Sequence, residues 1–318
     1  MELYSIKGNK LKNVELNSFK KEREIQDLVE KNTEILFEID FVSSEFKIGE
    51  FRIDTLCFDN ETNSFVIIEY KKGSSYSVID QGYSYLSKML NNKDSFILEY
   101  CRKKKVSVDI EVDWSQSRII FVSPSFNTYQ KNSVNFKDMN KFELWEIKRF
   151  DNDTIVLNQH QSKSQESIEK VVGNSDSIIN KVNKEIKVYN EEDHTSKLST
   201  HLKERWEEFK DLINELGGVE LVPKRHYISL KFESTSVCFC NFRKESIVVD
   251  INRGNTKTDG TKSKNFFDLD DPKKISKPSY WTWRDGTKGN IYKIKFDTKL
   301  DINYLMFLVK QKYDSLNS

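Results

Sequence analysis

The chain has 318 residues, 37% of them hydrophobic, and its 51 basic and 50 acidic residues leave a net charge of +1. This balance excludes a global electrostatic attraction for nucleic acid, so any such binding must come from local patches. No run of about 18 apolar residues could span a membrane, the first residues do not form a signal peptide, and four scattered cysteines exclude a disulfide framework. We therefore expect a cytoplasmic protein of two domains that does not bind membranes.

A first helix is predicted at residues 18–32 from an apolar stripe with helical spacing. Glu22 and Glu24 flank this stripe, and either could bring a carboxylate over the strands that follow. We favour Glu22 as a third carboxylate of a site on those strands, because it shares a helix face with Gln26, and Glu24 stays open. A solvated glutamate between basic neighbours would explain each residue equally well.

Two strands are predicted at residues 51–58 and 65–71, and the short polar turn between them most simply makes an antiparallel hairpin. Asp54 lies in the first strand, while Glu69 and Lys71 end the second. Residues 69 and 71 project to the same face because side chains repeat every second position along a strand. The hairpin therefore predicts two carboxylates and an ammonium on one face, at the mouth of a hydrophobic sheet.

This grouping suits a divalent cation. Mg²⁺, or Mn²⁺ in its place, takes oxygen ligands and completes its shell with water and substrate phosphates. We interpret Asp54 and Glu69 as metal ligands, and Lys71 as the group that orients an attacking water or offsets developing charge. The alternative is a surface hairpin with an ordinary aspartate and an exposed Glu-Lys pair, since this short pattern also occurs by chance.

A helix at residues 78–90 follows the hairpin, with Ser77 as its N-cap. Gln81 and Tyr85 are four residues apart, so they share a face and can reach towards the strand ends. A solvent-facing glutamine and a half-buried core tyrosine would be the ordinary alternative. Together with the strand residues, this pair resembles the PD-(D/E)xK nuclease superfamily, in the branch whose strand motif is followed by a helical Q-x-x-x-Y.

The resemblance implies metal-dependent hydrolysis of phosphodiester bonds by a restriction-endonuclease-like α/β/α domain. The residues that match the superfamily's catalytic motif are Asp54, Glu69, Lys71, Gln81 and Tyr85. Glu22 is the further catalytic residue that we expect from the first helix. Ile53 stands where the superfamily usually has a proline before the aspartate, which is a common and tolerable departure.

A helix predicted at residues 94–105 ends in four consecutive basic residues: Arg102, Lys103, Lys104 and Lys105. This basic run is the best local candidate for phosphate contact in the first half of the chain. Basic residues at a helix C-terminus also complement the helix dipole, so a solvated helix end is the alternative. Further strands within residues 117–126, 144–150 and 154–157 complete a central sheet and predict an α/β sandwich.

Four short motifs extend the resemblance through this half: Asp113-Trp114-Ser115, Arg118-Ile119-Ile120, Phe126-x-x-Tyr129 and Phe142-Glu143-Leu144. They resemble a family of bacterial proteins in which an endonuclease-like domain, of the NucS/DUF91 type, is followed by a small domain of unknown function, DUF5655. The resemblance covers most of the chain, but only its nuclease motif implies chemistry.

The chain is expected to contain an endonuclease-like domain at 1–158, a polar, partly helical linker at 159–194, and a smaller DUF5655-like α+β domain at 195–318. The last of these opens with a helix that has a strong apolar face and ends at Gly217-Gly218. Strands and a closing helix are predicted after it, at 227–232, 236–242, 246–251, 291–296 and 302–313.

A long polar loop in this second domain ends at about residue 277, and basic and aromatic residues alternate around and after that point, where we single out Trp281, Trp283 and Arg284. The two tryptophans would share one strand face. Such a pattern is typical of surfaces that stack bases and bind phosphates. We predict nucleic-acid binding by these residues. The alternative is that both tryptophans anchor the loop against the core.

The leading hypothesis is a Mg²⁺-dependent endonuclease acting on nucleic acid, DNA in the first place, in restriction or bacterial defence against foreign DNA. The alternative is a non-catalytic nucleic-acid-binding or assembly protein on a nuclease-derived fold. The intact set of Asp54, Glu69 and Lys71 favours the enzyme. A third hypothesis makes the C-terminal domain a platform that assembles a homodimer or a higher homo-oligomer. The choice between DNA and RNA, and the feature recognised on it, stay open.

Overall fold

The computed structural model describes five stretches of the chain: residues 2–72, 77–136, 139–160, 178–283 and 286–317. The chain forms two compact units, Met1–Val188 and Tyr189–Ser318, and each builds a hydrophobic core of its own. Across the described stretches, no helix is long and apolar enough to cross a membrane.

The first unit contains these strands: β1 (Leu3–Lys7), β2 (Lys10–Val14), β3 (Asp40–Ile48), β4 (Phe51–Asp59), β5 (Ser64–Tyr70), β6 (Arg118–Ser123), β7 (Phe142–Arg149) and β8 (Ile155–His160). Its helices are α1 (Glu22–Glu30), α2 (Thr33–Phe37), α3 (Val78–Asn91), α4 (Lys93–Lys104), α5 (Thr128–Ser133) and α6 (Ile178–Glu185). β1 and β2 pair as a separate hairpin, and the other strands form one sheet in the order β3-β4-β5-β6-β7-β8.

This sheet combines antiparallel pairs at its edges with parallel pairs at its centre. β3, β4 and β5 are antiparallel, β6 and β7 continue parallel to β5, and β8 returns antiparallel. The run Phe65-Val66-Ile67-Ile68 in β5 is buried on both faces, as expected for a central strand between two layers of helices. The parallel pair β5–β6 needs a crossover connection, and α3 and α4 provide it.

Helices cover both faces of this sheet. α3, α4 and α6 pack on one face, in a core that includes Leu86, Phe96 and Val182. α1 and α2 pack on the other face, around Ile25 and Val29. This arrangement confirms the α/β/α class predicted for a restriction-endonuclease-like domain. Through Val182, the described helix of the predicted linker takes part in the core of the first unit.

Gly82 allows α3 to pack closely against β7. A Cβ atom built on Gly82 would lie 2.5 Å from Cε1 of Phe142, whose ring is itself buried in the core. We therefore expect Gly82→Val to lower the free energy of unfolding by about 1–3 kcal/mol, seen as a lower urea midpoint. Ser87→Val is the matched control, because it introduces the same β-branched side chain at a half-buried position of the same helix. It should lower the free energy of unfolding by less than about 1 kcal/mol. Equal losses in the two variants would contradict the close packing at Gly82.

The second unit contains these strands: β9 (Val219–Pro223), β10 (Ile228–Phe232), β11 (Thr235–Arg243), β12 (Ser246–Thr256), β13 (Lys277–Thr282) and β14 (Lys288–Phe296). Its helices are α7 (Glu192–Thr195), α8 (Thr200–Leu216) and α9 (Ile302–Leu316). The strands form one antiparallel sheet in the order β13-β14-β12-β11-β10-β9. α8 and α9 contribute Trp206, Phe209 and Leu305 to the core on one face of this sheet, which confirms the predicted α+β class.

Candidate active site

The pairing of β4 with β5 brings two carboxyl groups together at one end of the hairpin. Thr55 pairs with Ile68, so Asp54 lies beside Glu69. The backbone N–H of Asp54 donates to Oε1 of Glu69 at 3.2 Å, and the backbone N–H of Tyr70 donates to Oδ2 of Asp54 at 3.2 Å. Each carboxyl group is thus held by the backbone of the opposite strand.

Lys71 completes this group from the first position after β5, which ends at Tyr70. Its Nζ lies 3.6 Å from Oε2 of Glu69, as the two-residue repeat of a strand requires. The backbone N–H of Lys71 donates to the carbonyl of Val122 at 3.0 Å, so the chain still follows β6 at this point. The side chain of Lys71 is 17% exposed and that of Glu69 only 1%, which places the ammonium at the mouth of the site.

The helix that follows the hairpin adds a hydrogen-bonding pair. Ser77 caps α3, and its Oγ accepts from the backbone N–H of Asp80 at 3.3 Å. Gln81 Nε2 donates to Oε2 of Glu69 at 3.3 Å and lies 3.4 Å from the Tyr85 hydroxyl. That hydroxyl donates to the backbone carbonyl of Arg52 at 3.1 Å. The structure therefore brings together the five residues of the motif, Asp54, Glu69, Lys71, Gln81 and Tyr85.

The buried carboxyl pair is electrostatically unfavourable in its ionised form. Burial, and after it the neighbouring Asp54, raise the pKa of Glu69 to about 8, while the Lys71 ammonium lowers it. Burial also raises the pKa of Asp54, against the hydrogen bond from the backbone of Tyr70. Two carboxylates this close resist simultaneous ionisation, so a cation placed between them would relieve the repulsion.

The donor set fits a hard divalent cation, because both side chains offer carboxylate oxygens, which Mg²⁺ and Mn²⁺ prefer. Within the described stretches, no group of three or more His, Cys, Asp or Glu side chains is placed to hold a metal. Asp54 and Glu69 would therefore supply two protein ligands, and water and substrate oxygens the remainder.

The two glutamates of α1 have different surroundings. Oε1 of Glu22 accepts from the backbone N–H of Lys72 at 2.8 Å, and Lys72 directly follows Lys71 of the motif. Oε2 of Glu24 pairs instead with Arg149 at 3.3 Å. Glu22 is therefore the glutamate that lies beside the motif strand, although its carboxylate contacts the backbone rather than the carboxyl pair. A catalytic role for Glu22 stays a prediction.

Gln26 and Glu45 have no predicted role in the site, yet both contact β4, the strand that carries Asp54. Gln26 is 5% exposed, and its Nε2 lies 3.0 Å from the backbone carbonyl of Asp54 and 3.3 Å from Oε1 of Glu45. Glu45 adopts a left-handed backbone, with φ of 54°, and pairs with Arg52 at 2.9 Å. The available signal was the helix face that Gln26 shares with Glu22.

Three of the four basic residues predicted to contact phosphate lie near acidic side chains. Arg102 pairs with Glu99 at 2.7 Å, Lys103 lies 4.0 Å from the same carboxylate, and Lys104 pairs with Asp40 at 3.1 Å. Lys105 ends α4 in a left-handed conformation with φ of 57°. Phosphate contact by this basic run stays a prediction.

The predicted contact in the second unit lies on a strand and just beyond it. Trp281 belongs to the edge strand β13, and its ring centroid is 5.8 Å from that of Trp283. Arg284 lies outside the described residues. Binding of nucleic acid by these residues stays a prediction.

The chain is 40% identical over 316 residues to an uncharacterized protein of Haemophilus influenzae, in a match that covers 98% of this chain and 99% of that protein. No protein-family model matches the chain. The relative has nearly the same length, so the likeness spans both units.

Solved structures give a much more distant likeness. The EndoMS-dsDNA2 complex matches with a TM-score of 0.27 and 20% identity, over 42% of this chain and 47% of that chain. A repair endonuclease from Pyrococcus abyssi matches with a TM-score of 0.24 and 21% identity, over 41% and 48%. SfsA of Pyrococcus furiosus with Ca²⁺ matches with a TM-score of 0.25 and 10% identity, over 51% and 76%. The chain covers about half the length of the first two neighbours, and likeness at this level does not establish a shared function.

Proposed function

The chain belongs to the same protein family as the uncharacterized protein of Haemophilus influenzae, and we propose that it is a metal-dependent endonuclease of the PD-(D/E)xK type that hydrolyses phosphodiester bonds in DNA. The observation that carries the proposal is the meeting of Asp54, Glu69 and Lys71 at one end of the β4–β5 hairpin. A surface hairpin of ordinary charges would not bury Glu69 to 1% exposure against a second carboxyl group, because an unpaired buried charge is costly.

Asp54 and Glu69 are the residues that would hold Mg²⁺ or Mn²⁺. When bound, such an ion polarises the scissile phosphate and lowers the pKa of a coordinated water. The Lys71 ammonium, 3.6 Å from Glu69, carries positive charge at the mouth of the same site. There it orients the attacking water and stabilises the negative charge that develops on the phosphoryl oxygens.

Gln81 and Tyr85 are positioning residues in this mechanism. Gln81 donates to the same Glu69 oxygen that faces Lys71, which fixes the orientation of the carboxylate. Burial, and then the Glu69 carboxylate, raise the pKa of Tyr85 to about 12, so its hydroxyl stays a neutral donor. Its hydrogen bond to the carbonyl of Arg52 ties α3 to β4, and the geometry of the carboxyl pair depends on that connection.

The proposal is tested by incubating the purified full-length chain with single- and double-stranded DNA in Mg²⁺, Mn²⁺ or a chelator. We expect cleavage with either cation and none with the chelator, because Asp54 and Glu69 need a divalent ion to act on a phosphate. Failure to cleave with both cations, in a folded chain that still binds DNA, would favour a non-catalytic nucleic-acid-binding protein instead.

We also propose the wider setting that the sequence predicts: a DUF5655-like second domain, self-association, a cytoplasmic location, and a role in restriction or defence against foreign DNA. The defence role depends on the cleavage activity and fails with it.

A further inference from the structure

The sheet of the second unit has two different faces. Val249 and Ile251 of β12 point into the core that α8 and α9 cover. Residues at alternate positions lie on the opposite face, here called the open face. One row of paired residues crosses it from β10 to β13: Ser229, Phe239, Asp250, Lys293 and Lys277. Apolar, acidic and basic groups therefore stand side by side on this face.

Aromatic side chains contact one another over the open face, and the ring planes of Phe239 and Trp281 meet at 80°. Phe239 and Trp281 come from strands three steps apart, which is about 14 Å at ordinary strand spacing, and yet their ring centroids are only 6.1 Å apart. The indole of Trp281 rests directly on Gly289, where a Cβ atom would lie 2.3 Å from the ring. Trp281 is half-buried, so part of this aromatic layer faces solvent.

A buried acceptor lies next to these rings. Asp250 pairs across the strands with Phe239 and is 8% exposed. Its Oδ2 accepts from Nδ2 of Asn241 at 3.0 Å, whereas Oδ1 is buried and has no hydrogen-bond partner among the described residues. A buried carboxylate oxygen without a donor is costly, and a donor supplied by a ligand would remove that cost.

The charges of the open face favour an anionic ligand strand. Lys293 lies directly across from Asp250, and Lys277 and Arg243 belong to the same face. The side chains of Lys293, Lys277 and Arg243 are exposed, while the carboxylate of Asp250 is buried. Three exposed cations around an aromatic layer repel a cationic ligand and attract a phosphate backbone.

We propose that the open face binds an unstacked base of a DNA strand, with the base against Trp281, an exocyclic amine donating to Oδ1 of Asp250, and flanking phosphates near the three cations. Adenine carries such an amine and thymine does not, so the carboxylate gives this face a preference among bases. The inference rests on the proposed function, because it names the part of the DNA substrate that the second unit recognises.

The test is binding of the full-length chain to labelled single-stranded oligonucleotides of deoxyadenosine or of thymidine. Binding is measured by fluorescence anisotropy with a chelator present. We expect Asp250→Leu to weaken binding of the deoxyadenosine strand about tenfold, the loss of one charge-assisted hydrogen bond. Binding of the thymidine strand should change less than about twofold, because thymine offers no exocyclic amine. Equal affinities of this variant and the wild type for deoxyadenosine would overturn the proposal.

Two further variants separate stacking and charge from folding. Trp281→Ala should weaken binding of both strands about tenfold, the loss of one stacked base, at an unchanged thermal midpoint. Lys293→Ala should lower the slope of log affinity against log salt concentration by about 1, the effect of losing one phosphate contact. Lys310→Ala is the control, since Lys310 is an exposed lysine on α9, and it should leave this slope unchanged. If Trp281→Ala does not fold, the Asp250 and Lys293 variants still decide the outcome. Binding is measured with a chelator and cleavage separately with Mg²⁺ or Mn²⁺, so the two proposals can fail independently. A chain that binds as predicted but does not cleave DNA with either cation overturns only the nuclease, and unaltered binding in these variants overturns only the base-binding face.

Discussion

Replacing either carboxylate of the hairpin site is expected to abolish metal binding and DNA cleavage together. Asp54→Asn and Glu69→Gln keep the shape of each side chain but remove the negative charge that would hold the cation. Since the ion contributes several kcal/mol to stabilising the transition state, cleavage should fall by at least about 10³-fold. The fold should persist, because each change leaves one buried carboxyl group where two now oppose each other at the end of the sheet.

The measurements are calorimetric titration with Mn²⁺ and cleavage of double-stranded DNA. Glu50→Gln is the matched control, since Glu50 is an exposed carboxylate in the turn before β4 and should leave both measurements unchanged. Cleavage at the wild-type rate by either site variant would rule out metal binding by the pair as the basis of activity.

Lys71→Ala should separate catalysis from metal binding. The two carboxylates stay in place, so Mn²⁺ affinity should lie within a few-fold of the wild-type value. The rate of cleavage should fall roughly 10²–10³-fold, because a preorganised charge at the reacting phosphate is lost. Both are measured as for the carboxylate variants.

Lys72→Ala is the matched control, an exposed lysine at the next position whose Nζ donates to the backbone carbonyl of Lys20. It should cleave at close to the wild-type rate. Full cleavage by Lys71→Ala would refute the role of the ammonium, even in a chain that proved to be a nuclease.

The hairpin of the site was predictable because its determinants are local. Alternating and continuous apolar runs fix β4 and β5, and the two-residue repeat then places Glu69 and Lys71 on one face. Ser77 likewise marks the start of α3 as its N-cap. The four-residue spacing of Gln81 and Tyr85 places both on the same face of that helix. These elements carry most of the site.

The remaining features depend on contacts between segments far apart in the chain. Glu22 and Glu24 look alike in the sequence, and they are distinguished by the hydrogen bond of Glu22 with the backbone of Lys72 and by the pairing of Glu24 with Arg149. α2 is a second such feature: residues Thr33–Phe37 form this short helix, and Glu38 ends it with φ of 55°, so β3 begins only at Asp40. The alternation of basic and aromatic residues predicted one strand face for Trp281 and Trp283, but the paired strand β13 ends at Thr282, so Trp283 lies just beyond it.

Whether Asp54 and Glu69 hold a divalent cation is tested most directly by anomalous diffraction from crystals of the full-length chain soaked in Mn²⁺. We expect one strong anomalous peak between the two carboxyl groups, at bonding distance from an oxygen of each, and no such peak in Glu69→Gln crystals soaked in the same way. A wild-type crystal with no peak at this site, or with a peak that persists in Glu69→Gln, would contradict the metal-dependent mechanism.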